Sequence, residues 1–385
     1  MYPTISYFIK DIFGVNIPLP FPTFGFIVAF AFFAAAYFFA KELKRKEYEG
    51  LLLASLKTTT FGKPFPIQEY ISSALMGFII AWKLFYAIGN YSEFATDPQK
   101  IILSTNGSIL GGILGAATML LFKFLEDKKQ RLPEPETKEI EFHPYQHVGN
   151  MTMIAAIGGI LGAKLFHNLE EWNDFVNNPI EALLSFSGLS IYGGLIIGGA
   201  SVVFYAWKNK LHPIHVMDAC APALMMAYAI GRIGCHLSGD GDWGIVNTSV
   251  APSFIPNWLW AYNYPNNVVS EGIPIEGCTG LYCHVLPQPV YPTPLYESLI
   301  SLLFFATLWF FRKKITVPGV MFCSYMIMNG IERFFIEKIR INPPYHIGGI
   351  EATQAEIISA LLVIVGIVGI WLLTKKNIKQ PNQIK

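Results

Sequence analysis

Charge is scarce in this 385-residue chain: Asp, Glu, Lys and Arg make up only 14% of it, and the formal net charge at pH 7 is +1. A chain this close to neutrality carries no electrostatic footprint for nucleic acid, which is excluded as a partner. Cysteine is scarcer still, at five residues, too few for a disulfide-built scaffold. Beside the loop cysteines Cys278 and Cys283 the only nearby histidine is His284, and four well-spaced ligands are not evident. No structural metal is therefore expected, and no cofactor is assigned. The first apolar run also lacks a basic segment before it; its basic cluster follows, which reads as a retained helix rather than a cleavable signal peptide.

What is abundant is apolar surface. Hydrophobic residues are 52% of the chain, with 30 Phe, and they fall into runs long enough to cross a bilayer. The expected fold class is an all-α polytopic membrane protein of roughly nine transmembrane helices. The spans lie near 22–41, 72–90, 107–124, 147–168, 189–208, 214–237, 294–311, 318–340 and 352–374. Lys and Arg cluster after every second boundary, at Lys41 to Lys46, Lys123 to Arg131, Lys208 and Lys210, Arg312 to Lys314, and Lys375 to Lys379. The positive-inside rule makes those boundaries cytoplasmic, with the N-terminus outside and the C-terminus inside. Residues 1–385 then form one membrane domain, with 238–293 as an external, Trp- and Tyr-rich head. The acidic, Pro- and Lys-containing stretch 126–146 reads as a solvated cytoplasmic linker without chemistry.

An internal repeat organises the first half: 72–125 reappears over 153–209. Lys83-Leu84-Phe85 matches Lys164-Leu165-Phe166, and Ser108-Ile109-Leu110-Gly111-Gly112 matches Ser190-Ile191-Tyr192-Gly193-Gly194. The unit is a pair of helices, so both copies keep one orientation. The inert Leu110 of the first copy is the phenolic Tyr192 of the second, which places any chemistry in the second.

The densest segment is Gly231-Arg232-Ile233-Gly234-Cys235-His236, which ends an apolar run with a cation and enters the turn Gly239-Asp240-Gly241-Asp242-Trp243-Gly244. No further Lys or Arg occurs before Arg312. Arg333 and Glu337 sit within another apolar run. Each such charge costs about 2.5 to 3.5 kcal/mol on insertion scales and by default marks a functional site. His236 follows Arg232 by four residues and shares its helical face, at the membrane surface. Structural readings stand beside these: Arg333 and Glu337 neutralise each other at i,i+4 spacing, Asp240 and Asp242 cap the next segment, and Asp218 serves as a cap.

Four segments together resemble the prolipoprotein diacylglyceryl transferase family of bacterial membrane enzymes. They are Ser190-Ile191-Tyr192-Gly193-Gly194-Leu195, the Gly231-Arg232-Ile233-Gly234 turn, Tyr291-Pro292-Thr293-Pro294-Leu295-Tyr296-Glu297, and Glu332-Arg333-Phe334-Phe335-Ile336-Glu337. Their order and spacing match from about residue 150 to the C-terminus, and the 72–125 pair is an addition to the family plan. The chain departs from that plan at Tyr192 and Tyr291, where the family has histidines, at Phe24-Gly25, where it has Tyr-Gly, and at Cys235, where it has asparagine.

The resemblance implies a reaction in which phosphatidylglycerol gives its diacylglyceryl group to the lipobox cysteine at the signal peptide of a prolipoprotein. A thioether forms and glycerol phosphate leaves, in the bacterial inner membrane. It also implies that Arg232 and Arg333 hold the phosphate, because guanidinium presents a fixed fork of donors and stays charged. Tyr192 and His236 are the candidates to activate the thiol, and Glu337, Asp240, Tyr296 and Glu297 complete the lipid-binding side chains. Two other classes compete. A transporter with an outer-leaflet anion site accounts for the repeat and the buried charges, and Gly239-Asp240-Gly241-Asp242 weakly fits an intramembrane aspartyl protease. In an oxidising compartment Cys278 and Cys283 close a short turn as a disulfide or remain two free thiols.

Overall fold

The computed structural model describes residues 1–379 apart from 16, 20, 97, 186, 187, 189, 344, 348 and 349. A short helix, α1 (Ile5–Phe13), precedes α2 (Thr23–Tyr48). Strand β1 (Ser55–Phe61) leads to α3 (Ile67–Gly89) and α4 (Ile109–Gln130), and β2 (Glu136–Phe142) follows. Then come α5 (Val148–Glu170), α6 (Ile191–Lys208) and α7 (Pro213–Ser238). After the head the chain continues as α8 (Thr293–Phe311), α9 (Val320–Glu337) and α10 (Gln354–Lys379).

Among the described residues, eight helices are long and apolar enough to cross a membrane: α2 to α8 and α10. The ninth expected span, 318–340, is present as the 18-residue α9. It fails on composition because Glu332, Arg333 and Glu337 fall within its last two turns. It nonetheless packs along α10 and against α7 and α8, so its charges are covered by protein.

By its internal contacts the chain divides into two compact units. The larger holds Met1–Val15, Phe21–Leu53 and everything from His143 onward; the smaller holds Asn16–Pro20 and Ala54–Phe142. In the smaller unit the stretch read as a linker is not free chain. Its first residues complete α4, and β2 pairs antiparallel with β1 from Ser55↔Phe142 to Phe61↔Glu136. The residues of β2 are solvent-facing up to its last, so the polarity was a true signal of exposure. Strand pairing satisfies the backbone without needing an apolar face, and periodicity could not reveal it.

The two helix pairs repeat in their contacts as well as their sequence. Ser108 N–H donates to Trp82 O at 2.9 Å, and Ser190 N–H to Ala163 O at 3.0 Å. Lys83 donates to the Ser104 carbonyl, and Lys164 donates at 2.9 Å to Ser185 Oγ. Gly111 lies against the Phe85 β-carbon as Gly193 does against that of Phe166, which lets each pair of backbones close tightly.

In the larger unit α7 is central, packed on α2, α8 and α9. Its contact face is small: Ala219, Ala221, Ala223 and Ala229 are buried. Asp218, near its first turn, accepts the N–H groups of Gly319 at 2.8 Å and Phe322 at 3.0 Å. It thereby caps α9, where the helix dipole favours a carboxylate, with Lys46 Nζ at 3.7 Å. Asp218 is thus a structural cap. The loop segment between α7 and α8 has its own core of Trp243, Tyr264, Leu286 and Val290. A Cys278–Cys283 disulfide closes its turn.

Candidate active site

Arg232 lies on the last turns of α7 and is 8% exposed. Its Nη1 meets the Asp242 carboxylate and its Nε meets Glu297, while the guanidinium sits 5.2 Å from the Tyr228 ring centroid. Glu297, one turn into α8, has no exposed surface and acts as the hub. It accepts hydrogen bonds from Tyr228 Oη–H at 2.6 Å and Arg340 Nη1 at 3.3 Å, and forms ion pairs with Arg232 and, at 3.8 Å, with Arg333 Nη1. Arg340 also reaches Asp242 Oδ1 at 2.5 Å. Arg333 pairs with Glu337 at 3.1 Å, and Asn342 Nδ2 donates to Glu337 at 2.6 Å.

Three guanidiniums therefore face three carboxylates at the head-side ends of α7, α8 and α9. Most of these ions face more than one opposite charge, which lowers the cost of burying them more than a single pair would. The fork of Arg232 spans two acceptors from different segments, a geometry that a lysine cannot reproduce.

Backbone pairing holds the segments in register. Gly239, with φ of +63°, ends α7 in the left-handed region and turns the chain toward Asp240. Gly244 donates to Tyr291 O at 2.9 Å and Ile245 to Ile339 O at 2.8 Å. A β-carbon on Gly244 would stand 2.4 Å from Ile339 O, so only glycine permits this approach. Thr293 Oγ1 donates to Asp242 O at 2.7 Å, tying the turn to the start of α8.

Burial would raise the Asp242 carboxyl, but Arg232 and then Arg340 outweigh it and hold the group at about 2. Asp240 is half-buried, and that burial and then the Asp242 charge shift it the other way, above the usual carboxylate range. Because the folded value of Asp242 is depressed, its stabilisation is complete above the ordinary range near ~4 and is lost as pH falls through about 2. Thermal unfolding in detergent should therefore show Asp242→Asn melting below wild type at pH 7, with the gap closing toward pH 2. Equal melting at pH 7 would contradict the pairing.

The other residues singled out in the sequence are placed as follows. Tyr192, half-buried at the start of α6, lies within Coulombic range of Arg333, Glu337 and Arg340. His236 turns away from the ions: its Nδ1 is 3.1 Å from the Tyr264 hydroxyl, among the rings of Tyr262 and Tyr264. The Tyr296 hydroxyl donates to Leu259 O at 2.7 Å and anchors the short helix Asn257–Trp260 of the head. Cys235, Asp240 and Asp242 bring ligand-type atoms within 4.8 Å of one another. Asp242 is already shared by two guanidiniums, whose charge opposes a cation there.

Arg340 and Tyr228 were not read from the sequence. The signal for Arg340 was its spacing: with Arg333 and Glu337 it completes an i, i+4, i+7 stripe on one helical face. Tyr228 stands one turn before Arg232, by the same logic.

The model of the prolipoprotein diacylglyceryl transferase family matches residues 131–372, the greater part of the chain. The chain belongs to the prolipoprotein diacylglyceryl transferase family. A phosphatidylglycerol–prolipoprotein diacylglyceryl transferase of Streptococcus pyogenes serotype M1 is 32% identical over 220 residues, covering 56% of this chain and 74% of that protein. One from Streptococcus agalactiae serotype V is 30% identical over 213 residues, 54% of this chain and 72% of that protein. The whole ion network lies inside the region matched to the transferase family, and α3 and α4 lie before it. Membership and the apolar helices together make this a multi-pass bacterial membrane protein. They leave the transporter and aspartyl protease readings without support. Asp240 and Asp242 also lie beyond the end of α7, outside any helix.

Proposed function

We propose that this protein transfers the diacylglyceryl group of phosphatidylglycerol to the cysteine thiol of a prolipoprotein, releasing glycerol phosphate. The observation that carries this reading is the cluster of Arg232, Arg333 and Arg340, buried or half-buried together, in a chain of this transferase family. The leaving group is an anion. Guanidiniums fixed in a site with little water stabilise it as charge develops, and they need no reorganisation when it forms. The phosphate exchanges for part of the carboxylate contacts of Arg232 and Arg333. Glu297 and Glu337 keep the two forks aimed, and Asp240 borders the glycerol headgroup. Tyr296 acts at one remove, by holding the head segment over the site. The substrate cysteine is the nucleophile.

The basic clusters support an outside N-terminus and a cytoplasmic C-terminus, with the head external. The guanidiniums then sit at the depth of the outer-leaflet phosphates. The β1–β2 pair and the cytoplasmic ends of α3 and α4 belong to the inner side, and that helix pair is an addition to the family plan.

Expression in a bacterium depleted of its own transferase tests the reading. Restored lipoprotein maturation is expected, and an expressed, membrane-inserted protein that restores none would contradict it. Among the two thiol-activating candidates, Tyr192→Phe should cost less than about tenfold in kcat, since the ring packing stays and the phosphate is held by others. His236→Phe should also leave kcat within about tenfold and act chiefly on head stability through the lost Tyr264 contact. A peptide-lipidation assay measures both, and a loss beyond about 100-fold from His236→Phe would restore it as a base.

A further inference from the structure

One buried carboxyl in the cluster has no role in the account above. Glu332, on α9, is 4% exposed; its oxygens accept no hydrogen bond of normal geometry among the described residues, and the donor beside it, the Tyr228 hydroxyl, is given to Glu297 at 2.6 Å. Its surroundings are Glu297, Arg232, Arg333 and Tyr228. A buried acceptor without a donor is costly, and the other buried carboxylates named here engage at least one oxygen. Asp218, as deeply buried, takes two backbone N–H groups, and Glu297 is engaged from four sides. Packing alone does not explain an acid at position 332.

The direction of the displacement does. A nucleophile enters carbon opposite to the departing oxygen. With the phosphate at Arg232 and Arg333 and the acyl chains in the membrane, the reacting carbon lies on the membrane side of the guanidiniums. Tyr228 stands one turn, about 6 Å, before Arg232 on that side, and Glu332 neighbours it. On α9 the side chain of residue 332 also leans toward the helix N-terminus, away from the head.

We propose that Glu332 takes the proton of the substrate's cysteine thiol, the step for which Tyr192 and Tyr291 stand where the resemblance has histidines. This rests on the transferase reading. The sulfur electron pair forms the S–C bond to the terminal glycerol carbon as its C–O bond breaks. That bond's electrons leave with the phosphate oxygen, and the thiol proton becomes the acid proton of Glu332. It later passes to the departing glycerol phosphate or to water.

The test uses the full-length protein in detergent with phosphatidylglycerol and two lipobox peptides, one with cysteine and one with selenocysteine, whose selenol is largely ionised at neutral pH. Glu332→Gln should slow the cysteine peptide by about 100- to 1,000-fold, and the selenocysteine peptide by less than about tenfold, because that nucleophile needs no base. Glu332→Met, near in size and unable to take a proton, is run beside it so that the result does not hang on one variant's folding. Equal slowing of both peptides would make Glu332 structural and overturn the proposal, as would wild-type rates with both. If wild type modifies neither peptide, the transferase reading itself fails. If wild type is active and only the split between peptides is missing, the assignment of Glu332 alone is lost.

Discussion

Arg232→Ala is expected to lower kcat/KM for peptide lipidation by roughly 1,000-fold or more, the scale seen when a preorganised donor to a developing anion is removed. Arg232 stands against two carboxylates from separate segments, Asp242 and Glu297, and is the only Lys or Arg between Lys210 and Arg312. No neighbour on α7 can replace it. Arg232→Lys should recover little, because a point charge cannot serve two acceptors and a phosphate with one fixed fork. Steady-state lipidation measured with a mass readout, alongside gel filtration of each variant, separates lost chemistry from lost folding. A folded Arg232→Ala protein within about tenfold of wild type would remove the anion site from this account.

Glu297→Ala is expected to act first on stability. Its carboxylate has no exposed surface and contacts Arg232, Arg333, Arg340 and Tyr228. Removing it leaves guanidiniums buried without their shared partner, a change that costs about 3 to 5 kcal/mol when a buried ion pair is broken from one side. Glu297→Gln keeps the shape and the acceptor oxygen for Tyr228 but not the charge, and should fall between the two. Thermal unfolding in detergent should rank wild type above Glu297→Gln and that above Glu297→Ala, with transferase activity lost in both variants. Phosphatidylglycerol should raise the melting temperature of wild type but not of Glu297→Ala. An Ala variant as stable as wild type would show that the carboxylate is not the hub.

Much of this arrangement was legible in the chain itself. Apolar runs locate membrane helices because a bilayer demands about 20 apolar residues whatever the tertiary contacts. Arg232, Arg333 and Glu337 stood out because charge inside such a run has no cheap structural reason. Arg340 did not, because a basic residue at a helix end also suits lipid headgroups, and only the stripe with Arg333 and Glu337 distinguishes it. Asp242 and Asp240 could be read as caps or ligands. The choice was made by the pairing of Gly244 and Ile245 with residues 291 and 339, contacts far apart in sequence. His236 shares the helical face of Arg232 by spacing, yet its ring is taken by Tyr264 of the head, 28 residues on. The head's core joins Trp243 to Leu286 and Val290, and no local pattern encodes a cluster built from single residues of separate loops. Strand β2 was hidden for a related reason: its partner, β1, lies on the far side of a helix pair.

The most direct test of the central claim is the mass of a lipobox peptide after incubation with the purified protein and phosphatidylglycerol, with released glycerol phosphate counted in the same tube. The account predicts that the peptide gains one diacylglyceryl unit on its cysteine for each glycerol phosphate released, and that Arg232→Ala abolishes both together. An unmodified peptide, under conditions where a streptococcal relative is active, would contradict it.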